Sequence, residues 1–330
     1  MFIYTQLFIA KHVTTHLKMN DMKKTYFTIF ILLISSNLTF GQLPMSNDIA
    51  FNSSVEVPTY EKGKGPKILL DGAHHNFFVQ HDFMKPFSDL AKADGYQTMV
   101  DSLKFTPDYL EHFDIVIIIT ALPFDLTNPN DASIESTFSK NEINSLYDWV
   151  NKGGSLLVFS EHAPFDQAIN TLLKKFGISS SIGITIDTLN YNKKLGNKYW
   201  IEFTQENGGL NQEHPIINGN NKKEKVSTLL TLGGSALTGE NYTNLLALSK
   251  SSENIKHSTG VGPIGRGNSQ GLAGKVGKGK VVAMGDPNGF TALIFKNDDD
   301  TKDKAGMNQE EYDWKQFVLN TLHWLSNKLE

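Results

Sequence analysis

The stretch SLLVFSEHAPF at 155–165 decides the fold. From Leu156 to Phe159 it is continuously apolar, and it ends abruptly in the polar corner Ser160-Glu161-His162. Three other runs repeat the pattern: KILLD at 67–71 followed by GAHHN at 72–76, DIVIIIT at 114–120, and KVVAMG at 280–285 followed by Asp286. Strands this apolar have no face to offer water and belong to a parallel sheet covered by helices on both sides. Parallel strands deliver their last residues to one edge, and open α/β sheets bind ligands beyond that edge. The expected fold is therefore α/β, a mostly parallel sheet flanked by helices, with a site at the carboxyl edge.

The segments between these runs support the same reading. Phe83 to Ala93 reads as a short helix, Gln97 to Val100 as a further strand, and Pro107 to Phe113 as a helical turn. Ser139-Lys-Asn-Glu142 is a capping box, in which Ser139 accepts from the amide of residue 142 while Glu142 reaches back. Ile143, Leu146, Tyr147 and Val150 then share one helical face, and Gly153-Gly154 ends the helix. Pro164 suits the first turn of a helix running to about Phe176. Residues 178–258 read as more β than α, and Tyr312 to Leu329 as an apolar-striped helix. The loop 121–137, rich in Pro, Asn, Asp and Ser, reads as a surface segment able to cover a site.

Residues 1–41 read as an export signal. Met22-Lys23-Lys24 is a positive start, Tyr26 to Leu33 is apolar, and Thr39-Phe40-Gly41 places small residues where a signal peptidase cuts. The apolar stretch is short for a membrane span of about 20 residues, so no stable span is expected after cleavage. The segment before Met22 has no evident role, which is consistent with a start at Met19 or Met22. Residues 42–65, with Pro44, Asn47, Asn52, Pro58, Gly63 and Gly65, read as a linker, and 66–330 as one domain long enough for a substantial core.

Composition excludes several classes of function. With no cysteine the chain has neither disulfides nor a cysteine nucleophile. Of 31 basic and 35 acidic residues, 1–41 hold four Lys and one Asp, which leaves 27 against 34 and a formal charge of −7. Nucleic acid is not an expected partner of so acidic a chain. The expected localisation is periplasmic or extracellular.

In order and spacing, DGAHHNFF at 71–78, FSKNEINSLYDWVNKGGSLLVFSEHAPF at 138–165, HPIING at 214–219, GKGKVVAMGDPNGFTA at 277–292, GMN at 306–308 and QFVLNTLHWL at 316–325 resemble the class I glutamine amidotransferase-like superfamily. The resemblance is to an exported and largely uncharacterised branch of it, and it implies a flavodoxin-like sheet. Glutaminases of that superfamily place a cysteine in the corner after a central strand. Here Ser160-Glu161-His162 stands at that corner, which rules out glutaminase chemistry of that kind and implies a retained site with changed chemistry.

The candidate catalytic residues are Glu161, His162, Asp71 and Asp286, with His74, His75 and Asn76 as ligand-binding candidates at the same edge. Asn288, Thr291 and Asn308 join them on the strength of the resemblance. Two uses suit the set and stay open: coordination of a divalent metal that activates water, or acid–base work by a carboxylate and a histidine alone. The plainer alternative is that Asp71 and Glu161 cap helix amides and the histidines bond locally. His81 and Asp82 read as a supporting layer, and His112, His214, His257 and His323 as surface or packing residues. Ser160 lacks the G-x-S-x-G frame of a nucleophile elbow. GVGPIG at 260–265 and the run 274–280 imitate nucleotide loops without the strand and helix such loops need, so 259–279 reads as a mobile Gly-rich loop suited to a lid. The expected function is hydrolysis of a small or carbohydrate-like ligand; the competing reading is a non-catalytic binding or scaffold module of the cell envelope.

Overall fold

Each of the four apolar runs is a strand, and the four lie side by side in one sheet. The computed structural model describes residues 45–126, 137–258, 260, 264–297 and 300–330, all within the unit Leu43–Glu330. The expected export signal and the centre of the loop 121–137 lie outside the described residues.

In chain order the elements are β1 (Met45–Asn47), β2 (Lys67–Asp71), α1 (Phe77–Gln80), α2 (Lys85–Ala93), β3 (Gln97–Asp101), α3 (Pro107–Leu110), β4 (Ile115–Ile119), α4 (Lys140–Lys152), β5 (Ser155–Phe159) and α5 (Phe165–Lys175). There follow β6 (Ile178–Ser180), β7 (Ile184–Asp187), β8 (Trp200–Thr204), α6 (Pro215–Asn218), β9 (Thr228–Leu232), β10 (Leu237–Gly239), β11 (Thr243–Ala247) and β12 (Ser252–Ile255). The chain closes with β13 (Ser269–Val276), β14 (Gly279–Met284), β15 (Ala292–Lys296), β16 (Lys302–Gly306) and α7 (Trp314–Leu325).

The central sheet runs β3-β2-β4-β5-β14-β13-β10-β6, with β11 also on β13. From β3 to β14 every pairing is parallel, and from β14 outward every pairing is antiparallel. The apolar runs thus form the parallel half, as their composition requires. All five residues of β4 and all five of β5 are buried. Leu156 and Val158 of β5 face the helices α4 and α5 through Leu146, Val150, Ile169 and Leu172. Phe159 meets Phe290 on the opposite face at 4.9 Å between ring centres, and Phe290 in turn packs on Phe317 of α7. Each such side chain contributes about 1.5–3 kcal/mol through burial, and the one polar residue of β5, Ser155, is accommodated at its start by donating its hydroxyl to the Leu325 carbonyl at 2.7 Å.

The helix signals hold. Ser139 and Glu142 form the reciprocal capping box, and Gly153 ends α4 with φ 131°. Residues 178–258 hold seven strands, β6 to β12, and one short helix, α6, so they are more β than α.

Two readings need correction. The segment 42–65 is not a free linker over its described part: β1 pairs with β15, the Thr59 amide donates to Asp94, and Tyr60 packs edge-on against Tyr96. Its Pro, Gly and Asn content signals irregular backbone, which is compatible with packing. The stretch 259–279 is not a loop throughout, because β13 and the start of β14 occupy 269–279 and pair with each other. Gly271 lies against Leu246 and Gly274 against Tyr242, so these glycines serve close packing rather than mobility.

Candidate functional site

The carboxyl edge of β2, β4, β5 and β14 carries the expected polar residues, and the structure sorts them into two hydrogen-bonded groups. The first follows β2. Asp71 accepts from the Ala73 amide at 3.0 Å, from Asn76 Nδ2 at 2.8 Å and from His74 Nδ1 at 2.9 Å. The other ring nitrogen of His74 donates to Glu142 Oε1 at 2.9 Å, while Glu142 Oε2 accepts from the Ser139 amide and hydroxyl. Asn76 Oδ1 accepts from the Ile119 amide, which ties the turn after β2 to the end of β4. Burial alone would lower the His74 pKa, but Asp71 and then Glu142 overcome it and hold it above its ordinary value. Burial acts on Glu142 in the opposite sense and is outweighed by Ser139 and His74, so its pKa is lowered. His74, with carboxylates on both nitrogens, is an imidazolium locked in place beneath Phe105 and Phe138. Asp71, His74 and Asn76 therefore hold one another and leave no group directed at a ligand.

The second group follows β5 and β14. Glu161 directly succeeds the strand corner at φ 51°, and it is buried. Its Oε1 lies 3.0 Å from His162 Nε2, and the other nitrogen of His162 donates to the Ala163 carbonyl at 2.8 Å. Both partners of the imidazole accept, so both its nitrogens carry protons. Burial opposes that charge, but the Glu161 carboxylate prevails and raises the His162 pKa to about 9. No group of three or more His, Asp or Glu arranged to hold a metal ion occurs among the described residues. Glu161 Oε2 is buried without a hydrogen-bond partner among the described residues.

Asp286 stands at the neighbouring strand end. Met284 of β14 pairs with Phe159 of β5, and the Ser160 amide donates to the Met284 carbonyl, so Glu161 and Asp286 emerge side by side. Asp286 accepts from the Leu232 amide at 2.8 Å and from Asn288 Nδ2 at 2.6 Å. Burial first, and then the charge of Glu161, raise its pKa to about 7. The backbone of 233–236 closes over this corner. Gly234 has φ 71°, and a Cβ there would lie 2.2 Å from the Gly285 carbonyl oxygen. Gly234→Ala should therefore destabilise the fold by about 1–3 kcal/mol, read as a lower urea midpoint.

Three expected residues serve other ends. Thr291 donates to the Asn288 carbonyl, and Asn308 binds Asp48 and the Leu293 carbonyl, which fastens the β1 end of the chain rather than a ligand. His75, at φ 42°, is half-buried and has Gln80 as its neighbour at 3.4 Å. Ser160 is buried in a hydroxyl chain with Ser235 and Ser180, which removes it as a nucleophile. The first amides of α5, at Phe165 and Asp166, donate to the His162 carbonyl instead of facing the edge.

Three residues of these groups were not anticipated as site residues. Glu142 shows in the sequence only as a cap, yet its carboxylate also closes the Asp71 network. His257 stacks on His162 with ring centres 4.5 Å apart, brought there from the end of β12. Burial and then the His162 charge lower its pKa to about 3. Asp166 accepts from the Gly183 and Gln167 amides, and burial raises its pKa to about 7. The Glu142 spacing carried a signal, and Asp166 lies in the first turn of the helix that follows the corner, whereas His257 is joined to it by tertiary folding alone.

The charge states make stability depend on pH with a definite sign. Asp166 and Asp286 titrate near 7 in the folded chain against 3.8 ordinarily, so the folded state keeps protons that the unfolded chain has lost. Their contribution is complete below about 4 and is lost as pH rises through about 7. His162, at about 9 against 6.5, contributes fully below 6.5, and this is lost as pH rises through about 9. The thermal midpoint should fall across both windows, and His162→Gln should flatten only the higher one.

No protein-family model matches the chain, and no curated protein matches it. Solved structures do. The mmIFT52 N-terminal domain is 16% identical with a TM-score of 0.54, over 78% of this chain and 97% of that one. A ThuA-like protein from Bacteroides uniformis is 12% identical with a TM-score of 0.42, over 82% and 96%. The cytoplasmic protein STM3548 from Salmonella typhimurium is 12% identical with a TM-score of 0.43, over 79% and 99%. At such identities the likeness to the mmIFT52 N-terminal domain is one of fold alone: a mixed α/β architecture around a mostly parallel sheet.

Proposed function

We propose that the chain is an exported hydrolase of the class I glutamine amidotransferase-like fold, acting on a small polar or carbohydrate-like ligand, with Glu161 as its base. The observation that carries the reading is the state of Glu161: a carboxylate on left-handed backbone at the strand corner, with Oε2 buried and unpartnered among the described residues. A non-glycine residue at such φ costs on the order of 1–3 kcal/mol and is kept where the surroundings impose it, often at functional sites. His75 and Thr120, at φ 42° and 53°, add two more such residues at the same edge.

In this reading Glu161 Oε2 accepts a proton from a water whose oxygen bonds to the electrophilic centre of the ligand as the bond to the leaving group breaks, and Glu161 then returns that proton to the departing oxygen. His162 acts as a positioning cation: its N–H on Oε1 fixes the carboxylate and leaves Oε2 as the basic atom. The neighbouring Asp286, with a pKa near neutrality, limits the negative charge that gathers at the corner. Asp71 and His74 support the edge without touching the ligand.

The test is turnover of chromogenic glycosides and esters by the protein and by Glu161→Gln. A scaffold role is the second reading, and the saturated Asp71-His74-Glu142 network is what favours it. Absence of turnover by the unaltered protein across both substrate classes would put the scaffold reading in its place.

A further inference from the structure

Arg266 is the one arginine in the sequence; the other 30 of the 31 basic residues are lysine. A chain that meets nearly every need for positive charge with lysine retains the guanidinium here, and the two groups differ in one respect that matters. Lysine is a point charge, whereas arginine presents a planar fork that matches a carboxylate or phosphate with two parallel hydrogen bonds. Arg266 makes no ion pair or hydrogen bond within the described residues. It lines a cavity of about 490 Å³ together with Thr185, Ser252, Glu253, Asn254 and Ile264, within the volume range of small-ligand sites.

The surroundings hold the arginine's backbone in place. Gly265 presses on Ser181, where an added Cβ would come within 2.8 Å of its Cα, and Gly267 presses on Ala236, with 2.6 Å to its carbonyl carbon. Asn254 donates to the Gly265 carbonyl at 3.0 Å and accepts from Thr185 at 2.8 Å, which ties the segment to β7 and β12. Between two glycines pinned to the scaffold, Arg266 is the side chain the segment presents. Glu253, in the same wall, makes no ion pair with it and adds a negative charge that a dianion would meet unfavourably.

We propose that this cavity binds a small molecule through a carboxylate, held in a two-point contact by Arg266. A planar monoanion uses the guanidinium fork fully and tolerates Glu253, where a phosphate does not. The site shares no residue with the Glu161 corner, so the inference stands whether or not Glu161 is catalytic.

Calorimetric titration of the full chain with D-glucuronate, D-glucose and inorganic phosphate tests it. Glucuronate should bind saturably and at least tenfold more tightly than glucose or phosphate. Arg266→Gln should abolish that binding, Arg266→Lys should weaken it about tenfold, and Glu161→Gln should leave it unchanged. The thermal midpoints of both Arg266 variants should match that of the parent, since the side chain is exposed and has no partner to lose among the described residues. The proposal is overturned if none of the three probes binds, if glucose binds as well as glucuronate, or if Arg266→Gln keeps the affinity. Tighter binding of phosphate than of glucuronate overturns it equally.

Discussion

Glu161→Gln should lower kcat/KM by about 10²–10⁴-fold, the contribution of a positioned general base, while the thermal midpoint stays close to that of the parent. Three effects bear on stability. The amide oxygen of Gln can still accept from His162 Nε2, so the hydrogen bond persists although its ionic part is lost. Removing the negative charge relieves its repulsion with Asp286 and Asp166, both of which it pushes upward in pKa. It also exchanges the unpartnered carboxylate oxygen for a neutral amide NH2 in the same buried place, which costs less to keep from water than an ionised group. Loss and gains oppose one another, so the stability change is small, whereas turnover has no substitute for the lost base. Ser160→Ala, within the buried hydroxyl chain, should keep activity, which separates the carboxylate from its neighbour. A Glu161→Gln protein that melts much earlier yet retains its specific activity would falsify the base assignment.

The parallel half of the sheet was legible because its strands carry the strongest physical signal a sequence offers. Residues 115–119 and 156–159 are wholly buried and apolar throughout. The antiparallel half was illegible for the corresponding reason. β6 and β10 are three residues long, and β13 is Ser-Gln-Gly-Leu-Ala-Gly-Lys-Val, with two glycines and no clear alternation. Glycine at 271 and 274 reads locally as loop, and only the side chains of Leu246 and Tyr242 packed over them show why a strand needs it. The three-residue β1 is likewise too short to leave a pattern.

At the site, strand order placed Asp71, Glu161 and Asp286 at one edge. It did not reveal which of them would be saturated. Strands β2 and β5 are separated by β4, and neighbouring strands lie about 4.8 Å apart, so their end residues start roughly 10 Å apart. Over that span side chains of this length settle with local partners: Asp71 with His74 three residues on, Glu161 with the adjacent His162. His257 shows the opposite failure. Nothing around Lys256-His257-Ser258 marks it, and its position against His162 follows from how β12 pairs with β7.

Asp71→Ala should destabilise the fold by about 3–5 kcal/mol, the usual cost of removing one partner from a buried ionic network. The substitution leaves His74 Nδ1–H, Asn76 Nδ2–H and the Ala73 amide without their acceptor, and a buried donor so stranded costs about 1–3 kcal/mol. It also leaves a charged imidazole facing Glu142 alone. Asp71→Asn should cost distinctly less, since its side-chain oxygen still accepts one of these bonds. Urea denaturation measures both. In the conditions where the Ala variant remains folded, its specific activity should be close to that of the parent, because the Asp71 group sits two strands away from Glu161 and directs nothing at a ligand. An Asp71→Ala protein of unchanged stability and abolished turnover would reverse the assignment: Asp71 would then belong to the chemistry, and His74, held between two carboxylates, would be its proton carrier rather than its clamp.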